Sequence, residues 1–284
     1  MRWYSPAALA VFGAAALTTV LTGCTPGSAA PGRPVLDAAP RADAATPRAE
    51  EPWGTIKGNA VWAGTDDEAK PVAANIDKDQ AVCLKNGPIY KSDYVVNPKN
   101  KGVRWVVVWL VDAEDYKKDL PINPDLKEPK DKTVVLDQPC CQFVPHIVAM
   151  REGQDLEIKN SGTIPHNTKI DSPGANPSIN PLLPPGSSQV VPGWVAETNV
   201  STVGCSIHGW MTAYIRVFNN PYFAVTDEDG NFTIKDAPAG KYHIVAWQES
   251  IGYLSKSYKK GDPIDIKLGK VTEVKFEVKP KPAS

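Results

Sequence analysis

The feature that most constrains the fold of this chain is a series of short apolar segments that recur, separated by turn residues, along its C-terminal half. Residues 156–159 and 213–217 alternate apolar with polar side chains, a pattern typical of β-strands with one buried face. The Asp229-Gly230 dipeptide is a turn signal between such segments. Further strands are predicted at residues 232–234, 242–247, 264–266 and 271–276. The sequence therefore predicts an all-β chain, built as a sandwich or a barrel.

A different strand pattern occurs earlier, at residues 103–111, which form a run rich in apolar and β-branched side chains. Such a run suits a strand that is buried on both faces, and it is far too short to span a bilayer. Residues 56–62 are predicted to form another strand. The charged, proline-broken stretch between residues 113 and 132 is predicted to be a solvated loop.

The N-terminus has the pattern of an export signal, with an apolar stretch of small residues at 7–21. It ends in the sequence LTGC, which resembles the lipobox of bacterial lipoproteins. The resemblance implies a lipoprotein signal peptide over residues 1–24, lipidation of Cys24, and a membrane-anchored protein in the periplasm or at the cell surface. The alternative is ordinary cleavage nearby, with Cys24 incidental. Residues 25–52 are predicted to be a disordered tether, because they have almost no large apolar side chains to bury.

The segment at residues 205–211 carries the pattern C-x2-H-x2-M just before a predicted strand. Cys205, His208 and Met211 place a thiolate, an imidazole and a thioether on one short loop. His166, which follows another predicted strand, supplies a second imidazole. Two histidines, a cysteine and a weak axial methionine are the ligand set of electron-transfer copper. Zinc is the rival metal, but zinc does not use a thioether, so Met211 would be idle.

With this motif, residues 137–218 resemble the cupredoxin (blue copper) family. The resemblance includes the Phe-x-Pro stretch at 143–145, Gly153 and the segment 160–166, and the short ligand loop is similar to that of amicyanin. It implies a Greek-key β-sandwich and one copper ion that alternates between Cu(I) and Cu(II). It also implies that Asn167 forms hydrogen bonds toward the cysteine loop and stiffens it.

More narrowly, the chain resembles cupredoxin-containing proteins labelled as methylamine-utilisation proteins. Lys169 and Gln248 stand where such proteins often carry histidine, which argues against an additional metal site at those positions. Ser201 stands where the dinuclear copper site of respiratory oxidases needs a second cysteine. The resemblance is carried by residues 137–146, 166–167, 205–211 and 221–227.

A second resemblance covers residues 222–248, whose T-D-x-D-G-x-F and P-A-G-x-Y patterns are those of carboxypeptidase regulatory-like, transthyretin-type β modules. Residues 54–71 look like the opening of the same kind of module. Either a separate β domain follows the cupredoxin, or both terminal segments form one module with the cupredoxin inserted. We favour the first arrangement, with an N-terminal β extension at 53–136, the cupredoxin domain at 137–218 and the module at 219–284.

The five cysteines divide between lipid, metal and disulfide. Cys24 is assigned to the lipid and Cys205 to the metal, so three remain. Because an exported protein lies in an oxidising compartment, we expect one disulfide. Cys83 is expected to pair with Cys141, with Cys140 as the alternative partner, since adjacent cysteines rarely bridge each other.

The expected function is electron carriage and not catalysis, because a site with four protein ligands has no open position for a substrate. A histidine edge near the surface would be the electron exit, toward a redox protein such as a cytochrome or an oxidoreductase. The alternatives are a surface lipoprotein that binds a partner or a glycan, and a copper storage or delivery protein. The 31 Lys and Arg balance the 32 Asp and Glu, which argues against a nucleic-acid partner.

Two further side chains near the motif have open roles. His146 is expected to be a structural histidine, with a fifth ligand as the alternative. Trp210 lies inside the ligand loop, where it either shields the copper and contributes to an apolar docking rim or packs in the core.

Overall fold

The computed structural model describes residues 52–280, and strands dominate this part of the chain, so the all-β prediction is confirmed. The N-terminal part contains β1 (Trp53–Trp62), the one-turn helix α1 (Gln80–Cys83), β2 (Val95–Val96), β3 (Val103–Arg104) and β4 (Val107–Asp112). The central part contains β5 (Thr133–Asp137), β6 (Ile147–Arg151), β7 (Asp155–Lys159), β8 (His166–Asn167), β9 (Lys169–Asp171), β10 (Leu182–Leu183), β11 (Ser188–Val191), β12 (Ser201–Gly204) and β13 (Thr212–Phe218). The C-terminal part contains β14 (Phe223–Val225), β15 (Asn231–Pro238), β16 (Gly240–Gln248), β17 (Gly252–Tyr253), β18 (Asp262–Ile266) and β19 (Val271–Val278). Short 3-10 helices lie at Pro124–Leu126 and Tyr258–Lys260.

The N-terminal and C-terminal parts together form one β-sandwich, which we call the flanking module. In one sheet β1 lies between β15 and β19, and in the other β4 lies between β14 and β16. This differs from the favoured arrangement, because boundaries at 53–136 and 219–284 would separate strands that are hydrogen-bonded to each other. The reason is that side-chain alternation marks a segment as a strand but does not identify its distant partner.

The central part forms a second sandwich, the central sandwich. One sheet has the order β11-β7-β5 and the other β6-β13-β12-β9, while β8 pairs with β10 beside them. The central sandwich begins with β5 and therefore before the expected boundary at residue 137. Its core contains the fully buried side chains of Leu136, Met150, Leu156, Ile158, Ile170 and Ile215.

Strand β4 is buried on both faces, as its apolar sequence predicts. Val108 and Leu110 lie in the core of the flanking module. Val107 and Trp109 lie on the opposite face, in an apolar cluster that also contains Phe218 of the central sandwich. This second cluster packs the two sandwiches against each other, so β4 belongs to two apolar cores at once.

Between β1 and β2 the chain leaves the flanking module and lies against the central sandwich. We call residues 72–91 the cover segment. Its ends are joined by a hydrogen bond from the N–H of Lys91 to the carbonyl of Val72 (2.8 Å). Ile76 and Ile89 are buried in the core of the central sandwich. The cover segment is therefore a closed loop that is fixed to its support by apolar side chains.

The signal peptide predicted over residues 1–24, with its lipidation site Cys24, lies outside the described residues. So does the tether predicted over residues 25–52, apart from its last residue. None of the helices in the described range has the length and apolarity needed to cross a membrane.

Candidate metal centre

The ligand loop, residues 205–211, connects two antiparallel strands that are paired up to the residues flanking it. Inside the loop, the N–H of Cys205 donates to the carbonyl of Met211 (3.3 Å). The N–H of Met211 in turn donates to the carbonyl of His208 (2.9 Å). Backbone hydrogen bonds thus fix the positions of all three candidate ligands on the loop.

His166 reaches the ligand loop from β8, a distant part of the chain. Its Nδ1 lies 2.9 Å from Nδ1 of His208, and Sγ of Cys205 lies 3.9 Å from the same nitrogen of His208. One ligand atom from each of these three side chains lies within 4.8 Å of the other two. Both imidazoles are fully buried and Cys205 is 5% exposed. The fold therefore brings two imidazoles and a thiol together in a site that excludes water.

The chemistry of these donors fits a metal ion. Nε2 of His208 lies 2.8 Å from the carboxylate of Asp79, and a neutral imidazole with its proton on Nε2 has a bare lone pair on Nδ1. Burial, followed by the nearby His208, lowers the pKa of His166 to about 4, against an opposing effect of Asp79, so His166 is neutral at pH 7. Nδ1 of His166 and Nδ1 of His208 face each other beside the sulfur of Cys205, so the site offers three ligand atoms to one cation. Two imidazoles and a thiolate suit copper.

Met211 closes the ligand loop and is only 2% exposed. It lies in the same apolar cluster as Cys205, in the core of the central sandwich. Its side chain is therefore in a dry environment. Its role as the axial ligand stays a prediction.

Asn167 connects β8 to the ligand loop. Its Oδ1 accepts hydrogen bonds from the N–H groups of Ser206 (2.8 Å) and Ile207 (3.2 Å), and it lies 3.3 Å from Sγ of Cys205. Its Nδ2 donates to Oδ1 of Asn180 (2.6 Å), which fixes the orientation of the amide. Because Asn167 directly follows one histidine of the cluster, these bonds hold the two halves of the site in a fixed relation.

The structure adds a residue that the sequence did not single out. Asp79, in the cover segment, accepts a hydrogen bond from Nε2 of His208, whose side chain has no exposed surface. The imidazole edge that was expected near the surface as the electron exit therefore has no exposed area of its own, because Asp79 of the cover segment lies over it. No motif marks Asp79, which is one of several charged residues in a polar stretch. Only the fold, which brings together positions 129 residues apart, reveals the contact.

A disulfide links the cover segment to the surroundings of the ligand loop. Of the two pairings that the sequence left open, the structure contains Cys83–Cys141, and Cys140 is an exposed free thiol. Nε1 of Trp210 donates to the carbonyl of Cys141 (3.1 Å), and the centroid of its indole lies 5.0 Å from the centroid of the His208 ring. Trp210 therefore shields one side of His208 while it joins the ligand loop to the disulfide.

His146 lies outside this cluster, and both of its ring nitrogens have other partners. Nδ1 is 3.0 Å from the carbonyl of Thr212, and Nε2 is 2.7 Å from a carboxylate oxygen of Glu249. The rings of Tyr214 and Trp105 pack against it, with their centroids 5.7 and 5.9 Å from the centroid of the imidazole. His146 is thus placed as a structural histidine between the two sandwiches.

No protein-family model matches the chain, and no curated protein sequence matches it. Among solved structures, the chain is similar to a purple cupredoxin from Nitrosopumilus maritimus, with 18% identity over 30% of this chain and 99% of that chain (TM-score 0.26). It is also similar to a copper-containing nitrite reductase from Thermus scotoductus SA-01, with 19% identity over 35% of this chain and 27% of that chain (TM-score 0.29). A reduced amicyanin variant matches with 14% identity over 38% of this chain and 91% of that chain (TM-score 0.28). These likenesses are weak, so the chemistry of the site is inferred from its own geometry.

Proposed function

We propose that this chain is an extracytoplasmic blue copper protein that carries single electrons. The proposed cofactor is one copper ion, which His166, Cys205 and His208 would hold, with Met211 as a weaker fourth ligand. The observation that carries the proposal is the convergence of two imidazole nitrogens and the cysteine sulfur within 4.8 Å in a buried site. These donors are the trigonal ligand set of electron-transfer copper.

A copper ion bound here would supply one-electron oxidation and reduction, and the task of the protein is to keep the ligands still. Backbone hydrogen bonds close the ligand loop, and Asn167 ties its first residues to β8. Ligands that are held by such surrounding bonds move little when the charge of the site changes. A rigid site of this kind favours fast electron exchange.

Two features support a carrier in preference to an enzyme or a copper-delivery protein. The four proposed protein ligands would leave no open coordination position at which a substrate could bind. The cover segment and Trp210 lie against His208, so a copper-accepting partner has no direct access to this imidazole. We therefore propose that the copper stays in place and that electrons are what the protein exchanges.

We further propose that the protein is exported to the periplasm or the cell surface and is anchored to the membrane by a lipid on Cys24. The Cys83–Cys141 disulfide supports an oxidising compartment. The proposed partner is another redox protein, a cytochrome or an oxidoreductase. The lipid anchor would keep the chain close to partners in or on the same membrane.

The test is the absorption and EPR spectrum of the purified protein after addition of Cu(II). We expect an intense blue or green colour that ascorbate bleaches. Cys205→Ala is expected to abolish the colour, whereas Cys140→Ala, which removes the exposed free thiol, should keep it. A colourless Cu(II) complex of the wild type, or colour that survives Cys205→Ala, would contradict the proposed function.

A further inference from the structure

The hydrogen bond between Asp79 and His208 gives the metal centre a feature that its ligand set alone does not require. Oδ2 of Asp79 lies 2.8 Å from Nε2 of His208. A bond from an imidazole N–H to a carboxylate is charge-assisted and stronger than a neutral one. Nε2 of His166, by contrast, is buried and has no hydrogen-bond partner within residues 52–280. Among the described residues, Nε2 of His208 is therefore hydrogen-bonded to a carboxylate, whereas Nε2 of His166 has no such contact.

The backbone of Asp79 shows that this contact prevails over a local alternative. Asp79 is the N-cap residue of α1, a position where an aspartate ordinarily accepts a hydrogen bond from the first turn of the helix. Its side chain makes no such bond, and its backbone has φ 48° and ψ 32°, in the left-handed region. A non-glycine residue keeps a left-handed backbone conformation only when its surroundings impose it. The carboxylate is thus directed to the histidine at the expense of the helix cap.

The cover segment gives Asp79 a firm support. Ile76 and Ile89 bury their side chains in the central sandwich on either side of it in sequence. Cys83, at the end of α1, is bonded to Cys141, whose carbonyl accepts the indole N–H of Trp210. A carboxylate on such a braced loop keeps its position relative to the ligand loop.

Solvent exposure differs sharply across this pair. The side chain of His208 has no exposed surface, whereas that of Asp79 is 47% exposed. The carboxylate is therefore the solvent-facing end of a hydrogen-bonded path that begins at a metal ligand. A redox partner that approaches from this side meets the carboxylate before the imidazole.

We propose that Asp79 is a positioning residue of the copper centre, an inference that rests on the proposed function. It holds His208 in the tautomer whose Nδ1 faces the metal and prevents the ring from swinging out of the site. Its negative charge also favours Cu(II), which carries one more positive charge than Cu(I), and so lowers the reduction potential. The carboxylate takes the place of an exposed imidazole edge as the outermost group of the centre.

The charge effect is tested by Asp79→Asn, with Asp77→Asn as the matched control. Asp77 lies two residues earlier in the cover segment and is exposed, so the control removes the same charge without the contact. At a fixed applied potential, Asp79→Asn is expected to raise the Cu(I)/Cu(II) ratio about tenfold, which is about 59 mV for one electron. The control is expected to change this ratio less than threefold. Spectroelectrochemical titration of the copper-loaded proteins measures both ratios.

The hydrogen bond is tested separately in the metal-free protein with Asp79→Ala. Long-range ¹H–¹⁵N NMR correlations of His208 are expected to show the Nε2–H tautomer in the wild type and a mixture of tautomers in the variant. Asp79 is about half exposed and contributes no apolar side chain to the core, so circular dichroism of the variant should show an unchanged β spectrum.

An unchanged copper ratio in Asp79→Asn, or an unchanged His208 tautomer in Asp79→Ala, would overturn the positioning role even if the wild type is blue. Failure of the proposed function looks different, because the wild type itself then forms no blue centre. The tautomer measurement needs no metal and decides the hydrogen-bond part of the inference in either case.

Discussion

Removal of the Cys83–Cys141 disulfide should lower the stability of the central sandwich substantially. The two half-cystines are 58 positions apart and are 4% and 2% exposed. The double variant Cys83→Ala/Cys141→Ala breaks the link and leaves neither half-cystine able to pair with the exposed thiol of Cys140. The cover segment then depends on its apolar side chains alone.

The magnitude follows from the length of the loop that the disulfide closes. In the chain-entropy description, a cross-link over a separation of 58 residues restricts the unfolded chain by about 4 kcal/mol at room temperature. Alanine fills most of the space of a cysteine apart from the sulfur, so the cavities left behind are small. We therefore expect the free energy of unfolding to fall by roughly 3–4 kcal/mol.

Guanidinium denaturation of the metal-free protein, followed by tryptophan fluorescence, measures this change. The matched control is Cys140→Ala, which removes an exposed thiol and should change the free energy of unfolding by less than about 0.5 kcal/mol. A double variant within about 1 kcal/mol of the wild type would refute the reasoning. Such a result would mean that the link does not constrain the unfolded chain as its length requires.

Three further predictions concern single side chains. Asn167→Ala leaves two backbone amides of the ligand loop without their acceptor, so the free energy of unfolding from denaturant titration should fall by about 1–3 kcal/mol. An unchanged free energy of unfolding would mean that Asn167 does not stabilise the loop. Met211→Leu keeps an apolar side chain of similar volume, so the free energy of unfolding should change by less than about 1.5 kcal/mol. The visible spectrum of the copper form should nevertheless shift, and an unshifted spectrum would contradict the assignment of Met211 as the axial ligand. Burial opposes ionisation of Asp137, but hydrogen bonds from Ser161 and Gln138, together with the charge of Lys159, outweigh it and hold the pKa of that carboxyl below its ordinary value of 3.8. Its stabilising effect is present above that value and is lost as the pH falls through the lower folded-state pKa, so acid unfolding of Asp137→Asn should be less steep than that of the wild type.

Much of the site could be predicted because its chemistry is local in sequence. Three candidate ligands share one loop of residues 205–211, and their spacing already identifies a soft ligand set. The same holds for strand β4, whose apolar residues on both faces predicted double burial. In each case one short stretch of chain contains the whole signal.

The rest depends on contacts between distant parts of the chain. Nothing in the sequence of β1 indicates that it runs parallel to β19, so the sequence alone did not decide between one flanking module and two separate pieces. Asp79 is a single charged side chain without a motif, and its contact with His208 appears only in the fold, where the cover segment lies over that histidine. Long-range pairing and tertiary contacts of this kind leave no periodic pattern for sequence reasoning to detect.

X-ray absorption spectroscopy at the copper edge of the copper-loaded protein tests the central claim most directly, because it identifies the atoms bound to the metal. We expect one short copper–sulfur contact and two imidazole nitrogens, with the sulfur lost in Cys205→Ala and one imidazole lost in His166→Ala. A copper ion surrounded only by nitrogen and oxygen, or a spectrum that neither substitution alters, would contradict the account.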